Sequence, residues 1–492
     1  MPDKLISIYH YVAAVDRKHY IMESFVQLIK SACNNDSNTD NLLIARELLT
    51  TKTKKYLEIL KNAMLHSERG LYRCSQKKNA QIYPHYIELK GFKQTVVLNK
   101  RAHSAQNTCL LACSNINDEK LLISHADFSA RREYCPGRLV NCKSGGDIEL
   151  CRAVSGSSRL YEWIKTNLTG EIYGEFSECS GSIEIMKLYQ YEAYSSFYCE
   201  PCICTCIQDT YYSPSRFGIS LKEEIADIEK NEVITGIKFI EKNKIIYPQI
   251  ETGKLLPDGH IQEFSNKWKP VNLINSMDNT LNIFPELNQQ EYVYFGSSSK
   301  DVQYINLEQI YLTDEYIITG VKFIMVKQQS LYTKTDNNFI SIAIQATHYD
   351  IKTGKLGKYP SNWMMFDLLK NKDPCRTYQY RRELIFPDSD NPLKYDEFDF
   401  NSINGDYVGF WPSSLKKDAG QTTIPLFDAN PVFGIPRFPL GGIGLYHKGP
   451  INSGGFISLK IAGIDYFKSI NTIIPSEDKI DFDSVLLSSN TN

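Results

Sequence analysis

The sequence predicts an α+β chain of several domains: an N-terminal antiparallel helical hairpin, a disulfide-rich middle, and a C-terminal all-β part built from repeated antiparallel sheets. Three observations predict it. Apolar residues recur at steps of three and four through the first 66 positions. Twelve of the 13 cysteines fall between Cys33 and Cys206. One apolar phrase occurs twice in the second half, as Val233-Ile-Thr-Gly236-Ile-Lys-Phe239-Ile and Ile317-Ile-Thr-Gly320-Val-Lys-Phe323-Ile. At 492 residues the chain is too long for one typical core. The expected boundaries are 1–74 for the hairpin, 75–215 for the cysteine-rich module, 222–475 for the β domain and 476–492 for a polar tail.

In residues 4–32 the positions Leu5, Ile8, Val12, Val15, His19, Met22, Val26 and Ile29 form a heptad-type seam. Residues 41–66 continue with Leu42, Ala45, Leu49, Tyr56, Ile59 and Ala63, and polar Asn34–Asp40 supplies the turn. His19, on the seam, reads as a packed core histidine. Tyr9, Tyr20, Ile21, Phe25 and Leu28 lie off the seam and need covering. Each such side chain gains roughly 1.5–3 kcal/mol on burial. Docking of the hairpin on the rest of the chain, and so a monomer, is expected over pairing with a second copy. A helix of 26 residues is about 39 Å long. If intact, it keeps Cys33 and Cys74 from bridging, since a disulfide needs Cα atoms within about 7 Å; either they bond elsewhere or the helix is broken. Their fate, like that of Cys375, is not set by the sequence.

The middle stretch mixes short alternating strands with Cys109, Cys113, Cys135, Cys142, Cys151, Cys179, Cys199, Cys202, Cys204 and Cys206. Closely spaced thiolates can wrap zinc or copper. No histidine pair or second Cys-x-x-Cys stands in register, so disulfides in an oxidising compartment are expected, with no metal and no cofactor. Asn35 and Asn167 head two sequons and are candidate glycosylation sites. The start has no apolar leader and reads as a mature secreted chain from which a leader has been removed.

In the β part the repeats are rich in β-formers, and a glycine inside each marks a bulge that the fold needs twice. Strands such as Phe339–Ile344 and Phe456–Ile461 alternate with period two, as one-face-buried sheets do. Gly441, Gly442 and Gly444 are glycine-rich without a helix to follow, which excludes a phosphate loop and reads as a turn between strands.

Function is read mostly by exclusion. A net charge of −2, with both signs interspersed, marks no nucleic-acid or anionic-membrane partner. No run approaches the roughly 20 apolar residues of a membrane span. No zinc-protease, nucleophile-elbow or phosphate-loop motif occurs, and the nine histidines are scattered. Glu397 and Asp399 would share one face of a strand, where two carboxylates could serve a glycosidase or hold calcium, but a solvated strand face is expected. The chain is thus expected not to be an enzyme.

Several phrases carry a resemblance: Val233–Phe239, Gly253-Lys-Leu-Leu-Pro-Asp-Gly-His260, Gln421-Thr-Thr-Ile-Pro425, Gly442–Gly449 and Gly454-Gly-Phe456. Together they resemble a family of secreted insect proteins carrying a domain of unknown function, which implies an extracellular protein. The repeated unit also looks like the β-prism architecture of jacalin-type lectins and vitelline-membrane outer-layer proteins, with Gly442–Tyr446 as a diverged third copy. Their Gly-x-x-x-Asp sugar loop has no clear match in this chain. The β-prism-like repeats, the aromatics their loops could carry and the missing catalytic motifs lead to the expectation of a non-enzymatic binding module for glycans or other extracellular proteins. Because sugars are held by stacking on aromatic faces plus a few placed polar groups, Trp411, Asp428, Gly441 and Gly442 are its expected ligand site. A matrix, eggshell or venom component that assembles through its hairpin is the alternative, and a membrane-damaging toxin is a third reading.

Overall fold

A computed structural model describes residues 2–34, 39–66, 69–72, 85–99, 109, 112–116, 135–167, 169–190, 198–210, 213–274, 291–313, 315–329, 336–366, 381–395, 400–450 and 453–465. Cys74, Cys375, Asn35, Glu397 and Asp399 lie outside these residues.

Two helices, α1 (Pro2–Asn34) and α2 (Thr39–His66), open the chain and touch along their length. Asp16 faces Lys52 at 3.7 Å, and Tyr9 clusters with Leu60 and Met64, so the helices run antiparallel. The buried stripe of α1 is not the predicted seam. It consists of Tyr9, Ala13 and Ser24, flanked by half-buried Leu5, Val12, Asp16, Tyr20 and Gln27, of which Leu5 and Val12 belong to the predicted seam. Ile8, Val15, Met22, Val26 and Ile29 are exposed instead. Both stripes have three–four spacing, and at 3.6 residues per turn their centres lie roughly a third of a turn apart, with Leu5 and Val12 between them. The observed contact takes the one whose small residues, Ala13 and Ser24, let the helices approach. His19 is accordingly no core residue: its side chain is 74% exposed, 3.8 Å from Glu23 one turn on. In α2 the predicted Leu49 is buried and Ala45, Tyr56 and Ala63 are partly so, whereas Ile59 faces outward.

The base of the hairpin docks on the β part. Tyr9, Ala13, Leu60 and Met64 share a cluster with Val233, Leu255, Ile317, Tyr349 and Ile464. Docking within the chain therefore occurs, but not through Phe25, which is 61% exposed.

The β part contains three sheets with one pairing order. Each has a long antiparallel hairpin at its centre: Glu232–Lys242 with Ile245–Lys254, Tyr316–Gln329 with Asp336–Asp350, and Leu440–Lys448 with Phe456–Gly463. The second strand of each hairpin pairs parallel with a short strand, respectively Gly218–Ser220, Tyr304–Leu307 and Leu426–Asp428. That strand pairs antiparallel with Tyr292–Tyr294, Asp406–Gly409 or Tyr86–Ile87. Each hairpin also breaks register once, at Ile234/Gly236, Ile318/Gly320 and Leu440/Gly442. The bulge expected twice thus occurs three times. The glycine pair expected in a turn, Gly441–Gly442, lies inside a strand at the third bulge. A Cβ on Gly442 would stand 2.7 Å from the Tyr311 ring, and this close approach needs glycine.

The outer edges are exchanged. Glu224–Ile225, from the first unit, pairs with the second hairpin; Gln309–Tyr311, from the second, pairs with the third; Val432–Phe433, from the third, pairs with the first. All three sheets share one core. Three residues past each bulge glycine come Phe239, Phe323 and Leu445, all buried in it. Phe239 stacks on Phe323 at 6.3 Å and meets Phe427 edge-on at 5.4 Å.

The cysteine-rich middle has a three-stranded sheet, Lys93–Asn99, Pro201–Ile207 and Arg138–Ser144, and a four-stranded one around Ile148–Arg152 and Tyr161–Thr166. Period two explains the cysteine run. Cys202, Cys204 and Cys206 point to one face of their strand and bond Cys113, Cys142 and Cys135. Ile203, between them, points the other way into a cluster with Val97, Ile148 and Leu150. Cys109–Cys199 and Cys151–Cys179 complete five disulfides, which take all ten expected cysteines. Glu162 stands beside Cys151 and Cys179, but those sulfurs are bonded to each other rather than free as thiolates. Cys33 is free and exposed. Five disulfides fit an oxidising compartment. Among the described residues no helix is long and apolar enough to cross a membrane.

Candidate functional site

A cavity of about 190 Å³ opens where the cysteine-rich sheet abuts the first two β sheets. Lys93 starts a strand that its β-forming followers Thr95-Val96-Val97-Leu98 define. Arg138 starts the strand two places across that sheet, and Asp209 follows the cysteine strand between them. From the β part come Ser297, Tyr304 and, just past the strand Asp406–Gly409, Phe410 and Trp411. A Cβ on Gly409 would stand 3.1 Å from the Tyr304 ring, so a larger residue there would press the ring out of its place by a few tenths of an ångström.

Polar contacts fix this wall. Arg138 grips Asp209 with two parallel bonds, Nη2 to Oδ2 at 2.8 Å and Nε to Oδ1 at 3.2 Å. The Ser297 amide donates to Asp209 Oδ2 at 3.1 Å, and the Ser297 hydroxyl touches both partners. Burial pushes the Asp209 carboxyl up, but the bonds from Arg138 and Ser297 outweigh it and hold it below the usual carboxylate range. Lys93 is different. Its Nζ donates to the Phe410 carbonyl at 2.7 Å and lies 4.7 Å from the centre of the Trp411 ring. The residue keeps part of its surface open to solvent, while protein atoms crowd its ammonium. Burial brings its pKa down to about 8, with the Asp209 carboxylate opposing. Trp411 is 43% exposed at the rim.

Of the residues expected to bind a ligand, only Trp411 lines this cavity. Asp428 is buried and paired with Lys448, with Asn430 donating to it at 2.6 Å. Gly441 and Gly442 lie in the third hairpin. Lys93, Arg138, Asp209 and Tyr304 escaped sequence reading because positions 93, 138, 209, 304 and 411 share no local spacing. The one available signal was a tryptophan outside the repeats. Asn167 sits exposed in the turn between Tyr161–Thr166 and Ile172–Gly174, with its backbone N–H donating to the Asp147 backbone carbonyl.

The chain belongs to the family defined by the Domain of unknown function (DUF4803), whose pattern matches residues 2–250. The match takes in the helical hairpin, the disulfide module and nearly all of the first β hairpin. No curated protein matches the chain.

Proposed function

We propose that this is an extracellular, non-enzymatic binding protein that seats a sugar residue in the cavity beside Trp411. The observation that carries it is Trp411, a residue 43% exposed, lining a cavity whose wall holds fixed donors and acceptors. Sugars are bound by stacking on an aromatic face plus a few placed polar groups. At about 30 Å³ per water the cavity holds about six waters, which suits one ring rather than a chain. Three sheets with one pairing order support the likeness to the β-prism of jacalin-type lectins and vitelline-membrane outer-layer proteins, and five disulfides support secretion, as in the insect family the sequence resembles. A glycan array is the test: binding that Trp411→Ala abolishes is expected, and a blank array with the intact chain counts against the reading.

One observation favours the second reading, a structural component that assembles. The exposed Ile8, Val15, Met22 and Ile29 of α1 repeat every seven residues, with Tyr11 and Phe25 beside them. A strict heptad seam fits another helix along its side, and a second copy of this hairpin provides one. Sizing by light scattering decides. A mass near 56 kDa supports the monomer expected from docking alone. A dimer that Phe25→Asp converts to monomer supports assembly. Leakage from liposomes would favour the toxin reading over both.

A further inference from the structure

We infer that the cavity beside Trp411 selects a sugar that carries an acidic group, a carboxylate or a sulfate, and that Lys93 is the residue that reads it. The inference rests on the glycan reading above and names the class of sugar. The charges of the wall are uneven. Both Asp209 oxygens are taken, by Arg138 and Ser297, so the one carboxylate of the cavity is already matched by the one guanidinium. Lys93 remains. Among the described residues no carboxylate stands within ion-pair distance of it. Its neutral partners, the Phe410 carbonyl and the Trp411 ring, hold the ammonium in place without cancelling its charge.

A lysine ammonium has three N–H donors, and the Phe410 carbonyl uses one. A crowded cation with no carboxylate in contact is costly, the more distant Asp209 offsets only part of that cost, and an arriving anion relieves the rest. An acidic oxygen at Lys93 would therefore complete the site, with the sugar ring lying across the exposed part of the indole. The lowered pKa adds a signature. Lys93 carries its charge fully only below about pH 8, so the preference for acidic sugars should fade as the pH rises through that value.

The test titrates the full chain with glucose, glucuronate, glucose 6-sulfate and inorganic sulfate, following Trp fluorescence and heat at pH 6.5 and pH 9.5. A charge-assisted hydrogen bond predicts that the two acidic sugars bind about tenfold more tightly than glucose at pH 6.5. Most of that margin should vanish at pH 9.5 and in Lys93→Met, and Lys93→Arg should retain it at both pH values. Circular dichroism confirms that each variant folds, and Trp411→Leu, at the exposed rim, should weaken every sugar alike. Equal affinity for glucose and glucuronate overturns the acidic selection and leaves the glycan reading standing. Inorganic sulfate binding as tightly as glucose 6-sulfate, with glucose silent, retains the anion site and removes the glycan reading. Silence from all four probes up to millimolar concentration removes both.

Discussion

His447 lies in the third hairpin with none of its surface exposed. Its Nε2 is 3.0 Å from the Gly454 carbonyl, which can only accept, so Nε2 carries the proton. The ring stacks on Phe386 at 4.4 Å, and Gly455, at φ +63°, passes so close that a Cβ there would stand 2.3 Å from it. Burial lowers the His447 pKa from 6.5 to about 4, against the pull of the Gly454 bond. Between those values the unfolded chain binds more protons than the folded one. The stability this residue contributes is thus present above pH 6.5 and lost as pH falls through about 4. We predict that His447→Gln flattens the fall of the urea midpoint between pH 7 and pH 4.5; an unchanged slope would contradict the assignment. Nearby, Lys448 and Asp428 are an ion pair whose side chains are 2% and 3% exposed. Lys448→Met leaves Asp428 charged and buried, and should cost about 3–5 kcal/mol in chemical denaturation. Adding Asp428→Asn should recover part of that, because it removes the stranded charge.

At the scale of elements, what was legible in the sequence was what period and residue type dictate. The two Thr-Gly-Ile/Val-Lys-Phe phrases gave strands bulged at glycine, and alternation gave buried faces such as Ile340, Ile342 and Ile344. The third bulge was harder to see because Gly441 replaces the threonine, and a run of glycines reads as a turn. The stripe of α1 was misread because periodicity locates an apolar face but does not rank two of them. The candidate site was legible only as Trp411; the rest of it is assembled across domains. Pairing along the cysteine strand predicts that at most three of the 13 cysteines, Cys33, Cys74 and Cys375, titrate under denaturing, non-reducing conditions. Ten titrating thiols would refute that pattern. The exposed Asn167 turn predicts that chain secreted from eukaryotic cells loses mass with an N-glycosidase, and that Asn167→Gln removes the share of that loss due to this site.

At the scale of the molecule, none of the three sheets of the β part is built from one continuous piece of chain. Edge strands pass from the first unit to the second, from the second to the third, and from the third back to the first. The third sheet also takes Tyr86–Ile87 from ahead of the disulfide module, pairing them with Phe427 and Asp428. Ile87→Pro removes an amide from that ladder and should open it locally. Hydrogen exchange in Leu426–Asp428 is expected to quicken in that variant, while the cysteine strand Pro201–Ile207 keeps its protection. Equal quickening in both would show that the module and the third sheet unfold together.

The position of Tyr86–Ile87 also sets a timetable for the growing chain. Their partners are made roughly 340 residues later. At roughly 5–20 residues per second, the ribosome takes between a quarter of a minute and about a minute to reach them. During that interval the intervening cysteines can find one another and the first two hairpins can close, while an apolar Tyr-Ile pair waits without its sheet. A nascent chain of this protein is therefore a client for whatever shields unpaired strands in its compartment, and the emergence of Leu426–Asp428 is what releases it.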